Sequence, residues 1–596
     1  MGVPGLFSYL RKYNKKDDRF STIKSELPNP GEPVHLYLDF NGAIYQVIKP
    51  EIKTEDTLII YVLEYLDHIV EMFNGSGQGG GEDLGDDVVI GPVNPITKLY
   101  IAIDGVPPRA KVEQQRARRF HSVCRKAKIN AIETRVGNKF DKSDTNWHLD
   151  SNMITPGTIF MDKLRKAINT HLEGTVLFRD IEVIFNDWSN PGEGEHKILQ
   201  HLRNNPTPDG TKTIIYGLDG DLIMLAMASR LNNMFLIREA HEYGKYAFEH
   251  AGRPYLYMDI DCLKNALVNE HSQSMSTPLE QLTPMDITRF IDDYIVLMMI
   301  LGNDFMPKIP WLSIKYNGHD HILNSYFTVQ NGRLADENKW LYDRVTRGFN
   351  VEMLQAFMGI LSKHEQGLIE SLTIERDNAK PRIHPGVTER ERQMILMDFL
   401  PLQYLEIESH IDPFEPGWHG RYYKICHQMN PSGDNTRIVF DAYWKTWCWN
   451  AEYYLNECPS WDWFYPYDYP PTLADIKHYL GEFKKNQGAI SFGESVPVEP
   501  QTLLLMVLPE KSAGLMARSI EAAVRANDSL MSIYFPKSYE INLAYHTRYH
   551  ECSPRIPKIN LGLCVAFVKK CKLSQSEQDR NVAGGLKLYI DCKAVS

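Results

Sequence analysis

The chain has 596 residues, 43% apolar and 24% charged, which suits a globular protein of two to four domains. No apolar run approaches the roughly 20 residues that span a bilayer, so no membrane association is expected. A net charge of −11 excludes a protein that coats nucleic acid over its whole surface, but it leaves room for a local basic track. The start, MGVPGLFSYL, lacks a basic segment followed by a long apolar run, and Leu6 stands where myristoylation needs Ser or Thr. The nine cysteines show no CxxC pair and no zinc spacing, which predicts free thiols in a reducing compartment.

In chain order, MGVPGLFSYLRKY predicts a short helix in which Gly2 and Gly5 permit close backbone approach. Residues 34–40 (VHLYLDF) read as a buried strand ending at Asp39, and NGAIYQVI continues as a helix. An amphipathic helix over 58–73 precedes a Gly-rich, acidic stretch, and the span 75–94 is expected to be a flexible insertion. Residues 100–103 form a strand ending at Asp104, and the helix after it carries Lys111, Gln115, Arg118 and Arg119 at i, i+4, i+7 and i+8. Those four share a face, either as a phosphate grip or as a solvated basic stripe.

A strand over 181–189 leads into NPGEGEHKILQHL, a helix with Glu193 and Glu195 in its first turn. GLDGDLIML repeats the pattern of strand, acids and helix with Asp219 and Asp221, and 234–239 is a further strand. A buried helix over 293–307 is closed by Gly302, with Asp304 just beyond it. Strands alternating with helices predict an α/β fold, a mostly parallel twisted sheet flanked by helices, with ligands beyond the strands' carboxyl ends. The expected organisation is a βα-alternating region over 1–320, a helical connecting segment over 321–415, and a second, aromatic-rich α+β region over 416–596 packed on the first. Most rings of AYWKTWCWNAEYYLNECPSWDWFYPYDYPP are expected in a core, with base stacking the alternative for some.

Asp39, Asp104, Glu193, Glu195, Asp219, Asp221 and Asp304 are thus candidate metal ligands. Hard divalent cations prefer oxygen donors, and seven acids gathered at one site would repel one another without a cation. Two ions, Mg²⁺ or Mn²⁺, would neutralise them and support hydrolysis of a phosphodiester. The cationic face then becomes a place for a terminal phosphate, which would make the protein an exonuclease.

At these residues the sequence resembles the 5′-to-3′ exoribonuclease (Xrn) family. The matching pieces are MGVPGLF, LDFNGAIY, DGVPPRAKVEQQRARRF, ITPGTIFM, NPGEGEHKI, GLDGDLIML and LGNDFMP, with weaker matches through GWHGRYYK, CPSWDWFYPYDYPP and YFPKSYEIN. The resemblance implies a core related to flap endonucleases and PIN nucleases, with the second region completing the pocket. It implies that the seven acids hold metal and that Lys111, Gln115, Arg118 and Arg119 hold a 5′ monophosphate on single-stranded RNA. The family usually has histidine at Tyr45 and tryptophan at the position aligned to His550, two rings that sandwich terminal bases. The chain ends at 596, which the resemblance reads as a compact monomer without a long C-terminal extension, similar in size to homologues of large DNA viruses. A cytoplasmic location is expected, with the nucleus left open, and the decapping machinery is an expected partner. A flap-type endonuclease and a non-catalytic RNA-binding scaffold are the alternatives.

Overall fold

Seven strands make the sheet in the computed structural model, which describes residues 2–13, 21–74, 94–137, 149–217, 220–243, 253–275, 278–333, 339–526 and 528–582. They are β1 (Ile23–Lys24), β2 (Val34–Asp39), β3 (Ile96–Ala102), β4 (Glu182–Asn186), β5 (Lys212–Tyr216), β6 (Met234–Glu239) and β7 (Tyr255–Asp259). The spatial order is β1-β7-β6-β5-β2-β3-β4. Strands β2 to β6 are parallel, as the apolar runs predict, whereas β7 runs antiparallel to both β6 and β1 and closes that edge. The chain leaves β2 toward β3 and β4, then crosses back to β5, so the order reverses between β2 and β5. A crevice opens beyond the strand ends at such a reversal. Asp39 ends β2 there.

Helices cover both faces. They include α1 (Leu6–Leu10), α2 (Phe40–Gln46), α3 (Glu55–Asn74), α4 (Arg109–Val136), α5 (Ile159–Gly174), α6 (Gly194–Asn204) and α7 (Asp221–Ala228). One face packs α2, α3 and α5 through Phe40, Leu58, Leu66, Ile69, Phe160 and Leu164. The opposite face packs α1, α6 and α7. The expected flexible insertion, and Asp219 with it, lie outside the described residues.

Residues 351–398 carry the helices Val351–Leu361, Glu365–Asn378 and Glu389–Asp398. The later region departs from the α+β expectation: among the described residues its strands amount to one ladder of Ile541–Asn542 with Ser553–Pro554. The first half of the aromatic block lies in the 23-residue helix Gly433–Leu455, which Ser432 caps by accepting from the Asn435 N–H. Its rings find their burial as a helix because they meet the buried helix Pro284–Met298, where the Trp447 indole donates to the Val296 carbonyl at 2.9 Å. Trp447 and Tyr454 thereby share one apolar cluster with Leu6 and the α7 residues Leu222 to Ala228. Among the described residues, all eight cysteines are free, and no helix is long and apolar enough to cross a membrane.

Candidate active centre

The acids gather where the strand order reverses. Asp104 follows β3, and its Oδ1 accepts the Gly194 N–H at 2.7 Å while its own N–H donates to Asn41 Oδ1 at 3.0 Å. A Cβ at Gly194 would stand 2.6 Å from Asp39 Oδ1 and 3.5 Å from Asp104 Oδ1. Both carboxylates therefore border the first turn of α6, and only glycine fits between them. Glu193 caps α6 and Glu195 lies in its first turn, both buried. Asp221 opens α7, and Asp304 follows the positive-φ turn at Gly302.

Two tyrosines from the helix Gly433–Leu455 complete the basin, and nothing in the sequence pattern marked them. The Tyr453 hydroxyl donates to Glu193 Oε1 at 2.8 Å, and its ring stacks on His196 at 3.7 Å. Tyr454 meets Asp221, with Glu195 and Asp304 nearby; burial first, then these anions, hold its hydroxyl protonated far beyond the ordinary range. Burial also raises Glu193 above the usual carboxylate range, against the pull of Lys111. Beneath them Lys197 donates to the carbonyls of Ile103 at 2.7 Å and Asp187 at 2.9 Å, and burial lowers it to about 7 although Asp104 opposes the shift. Its place four residues after Glu193 was the available signal.

The cationic face of α4 divides. Lys111 turns to the acids, 2.6 Å from Glu193 Oε2 and 2.8 Å from Asp304 Oδ2. Arg118 and Arg119 instead line a cavity of about 620 Å³ together with Tyr45, Lys126, Asn152 and Lys511. Gln115, half-buried, lies between them along the helix. Arg119 Nη1 is buried with no hydrogen-bond partner among the described residues, and burial lowers its guanidinium to about 10. A buried orphan donor on a cation asks for an anion. His550 stands elsewhere: it is 56% exposed for its side chain and 3.5 Å from Asp398. Its neighbour Tyr549 is buried against His121, and His550 is not among the described residues that line the cavity with Tyr45.

The opposite face of α4 fastens it to the later region. Arg109 donates to the Ile559 carbonyl at 2.6 Å, and Arg116 donates to the carbonyls of Met506 and Tyr534.

The donor set suits a hard cation. Ligand atoms of Glu193, Glu195 and His196 all lie within 4.8 Å of one another, and the surrounding groups are carboxylates and phenols. Burial penalises this much negative charge, and a divalent cation would relieve the penalty.

Comparison with known proteins places this geometry. A model of the XRN 5′-3′ exonuclease N-terminus matches residues 1–77 and 86–240, and a model of the Xrn1 helical domain matches 284–398 and 403–595. The chain belongs to the Xrn exonuclease family. The "5′-3′ exoribonuclease 2" of Candida albicans is 28% identical over 99% of this chain and 74% of its own length. Its namesake in Gallus gallus is 25% identical over 99% and 72%. The "5′-3′ exoribonuclease 1" of Homo sapiens is 26% identical over 97% of this chain but only 35% of its own length. In this Xrn chain the active centre draws on both matched parts: Asp39 to Asp221 fall in the first, Asp304 and both tyrosines in the second.

Proposed function

We propose that this Xrn chain is a divalent-metal-dependent 5′-to-3′ exoribonuclease that hydrolyses single-stranded, 5′-monophosphorylated RNA to nucleoside monophosphates. The observation that carries the proposal is the partnerless Arg119 Nη1, buried beside a cavity next to the acid basin. Arg118 and Arg119 bind the terminal phosphate by charge-assisted, bidentate hydrogen bonds. Lys111 stands seven residues earlier on the helix, a rise of about 10 Å, so the next linkage lies over the acids while the end is gripped. Tyr45 offers a ring against which a terminal base stacks. His550 joins it only if its exposed side chain turns toward the cavity on RNA binding.

Asp39, Asp104, Glu193, Glu195, Asp219, Asp221 and Asp304 would hold two Mg²⁺ or Mn²⁺ ions, which supply an activated water and stabilise the departing oxygen. The chain's own contribution is placement. The Gly194 N–H fixes Asp104, the Tyr453 hydroxyl fixes Glu193, and the buried tyrosine rings exclude bulk water. Decapping leaves a 5′ monophosphate, so a monomer acting in the cytoplasm downstream of a decapping enzyme fits this chemistry.

One labelled RNA carrying a 5′ monophosphate, triphosphate, hydroxyl or cap tests the assignment. Rapid release of mononucleotides from the monophosphate form alone is expected. Equal rates on all four ends, or internal cuts in a branched DNA made faster than any of them, would overturn it.

A further inference from the structure

Lys111 sits where the acid basin should hold a cation. Its Nζ bridges Glu193 Oε2 at 2.6 Å and Asp304 Oδ2 at 2.8 Å, and the three side chains are only 10%, 5% and 5% exposed. The Phe305 ring lies 5.7 Å from the ammonium, and the Tyr453 hydroxyl covers the other oxygen of Glu193. Asp104 also faces Glu193, while burial of the glutamate opposes its charge.

We propose that Lys111 is an internal counter-cation: it holds Glu193 and Asp304 in the metal-free enzyme and competes directly with a divalent cation for those two carboxylates. The proposal rests on the metal-dependent function above. An ammonium engages oxygens at 2.6–2.8 Å here, whereas Mg²⁺ needs oxygens at about 2.0–2.1 Å in near-octahedral order. Both cations on the same two oxygens would face each other at contact range in a poorly screened site, where repulsion is strong. One must leave. The four-carbon stem lets Lys111 swing away without moving α4, and its three donors then become free for a substrate phosphate. The expected phosphate contact and the acid contact thus belong to one residue at two stages. Loading of cation at Glu193 and Asp304 is therefore set by a residue of the protein as well as by the ion's concentration.

Titration of the full chain with Mn²⁺ by calorimetry, paired with metal-free and Mn²⁺-loaded melting curves, tests this. Lys111→Met removes the charge but keeps an apolar stem of similar length, and Lys111→Gln repeats the comparison if the first variant does not fold. The expected result is at least tenfold tighter Mn²⁺ binding than wild type, with a lower melting point without metal that Mn²⁺ restores. Lys111→Arg should stay within about threefold of wild type. Unchanged or weaker Mn²⁺ binding by Lys111→Met and Lys111→Gln, with wild type binding normally, overturns the competition and leaves the metal-dependent function standing. Absence of Mn²⁺ binding in every protein overturns both.

Discussion

Tyr453 and Glu193, 260 residues apart in sequence, are joined by a 2.8 Å hydrogen bond inside the acid basin. Burial raises Glu193, and this bond and the Lys111 contact both pull it back toward the ionised form. Tyr453→Phe removes the hydroxyl and keeps the ring on His196. A hydrogen bond to a charged group contributes about 1.5–3 kcal/mol, so turnover should fall by roughly tenfold or more while the melting point changes little. Wild-type turnover by the variant at saturating metal would remove Tyr453 from the site.

Gly2 is the backbone wall of Asp221. A Cβ there would fall 2.1 Å from Asp221 Oδ1 and 2.7 Å from its backbone nitrogen, distances that no side chain tolerates. Gly2→Ala must displace either the N-terminal segment or Asp221. Loss of turnover by more than about tenfold is expected, since misplacement of about 1 Å costs on the order of a hundredfold. Steady-state rates at saturating Mg²⁺ and Mn²⁺ provide the measurement.

Substitution of Arg118 and Arg119 together by alanine should erase the preference for a 5′ monophosphate. Each charge-assisted contact contributes about 1.5–3 kcal/mol, so the monophosphate-to-hydroxyl ratio should drop by at least about a hundredfold. Mn²⁺ affinity should hardly move, because both arginines line the cavity whose described lining holds none of the basin acids. Competition between the two RNAs in one reaction reads the ratio directly; equal losses on both ends would count against the phosphate grip.

Stability should fall on acidification for reasons unrelated to the acids. His319, in tilted ring contact with Tyr9 and hydrogen-bonded to the Tyr294 hydroxyl at 3.1 Å, is lowered by burial to about 4, and His427 is lowered to about 4 by burial as well. Unfolded, each returns to about 6.5 and takes up a proton. Their contribution is fully present above pH 6.5 and is lost as pH falls from there toward 4. Denaturation midpoints at pH 7.5 and 5 should differ accordingly, and His319→Gln should flatten that slope. A slope unchanged in the variant would assign the effect to other groups.

The strand-end acids were legible because alternation of apolar strands with helices fixes where strands end, and Asp39 and Asp104 stand at those ends. Glu193 and Asp221 followed from the same logic at helix starts. The division of labour on α4 was not legible: periodicity gives the angle around a helix axis but says nothing about what lies at each height. Lys111 and Arg118 share an angle, yet one meets the acids and the other a cavity. Tyr453 and Tyr454 were hidden in a block whose rings are otherwise core, because a contact across more than two hundred residues leaves no local trace. His550 is exposed beside the buried Tyr549, which its residue type alone did not signal.

Arg109 and Arg116 give α4 a second role beyond carrying the grip. Their carbonyl partners at Met506, Tyr534 and Ile559 act as three moorings on the back of the rod whose front holds Arg118 and Arg119. Drift at any mooring is passed along a rigid helix to the guanidinium groups less than one turn away from Arg116. If Arg118 and Arg119 grip the RNA end as proposed, its selectivity is tunable from the far third of the sequence, by substitutions that never touch RNA.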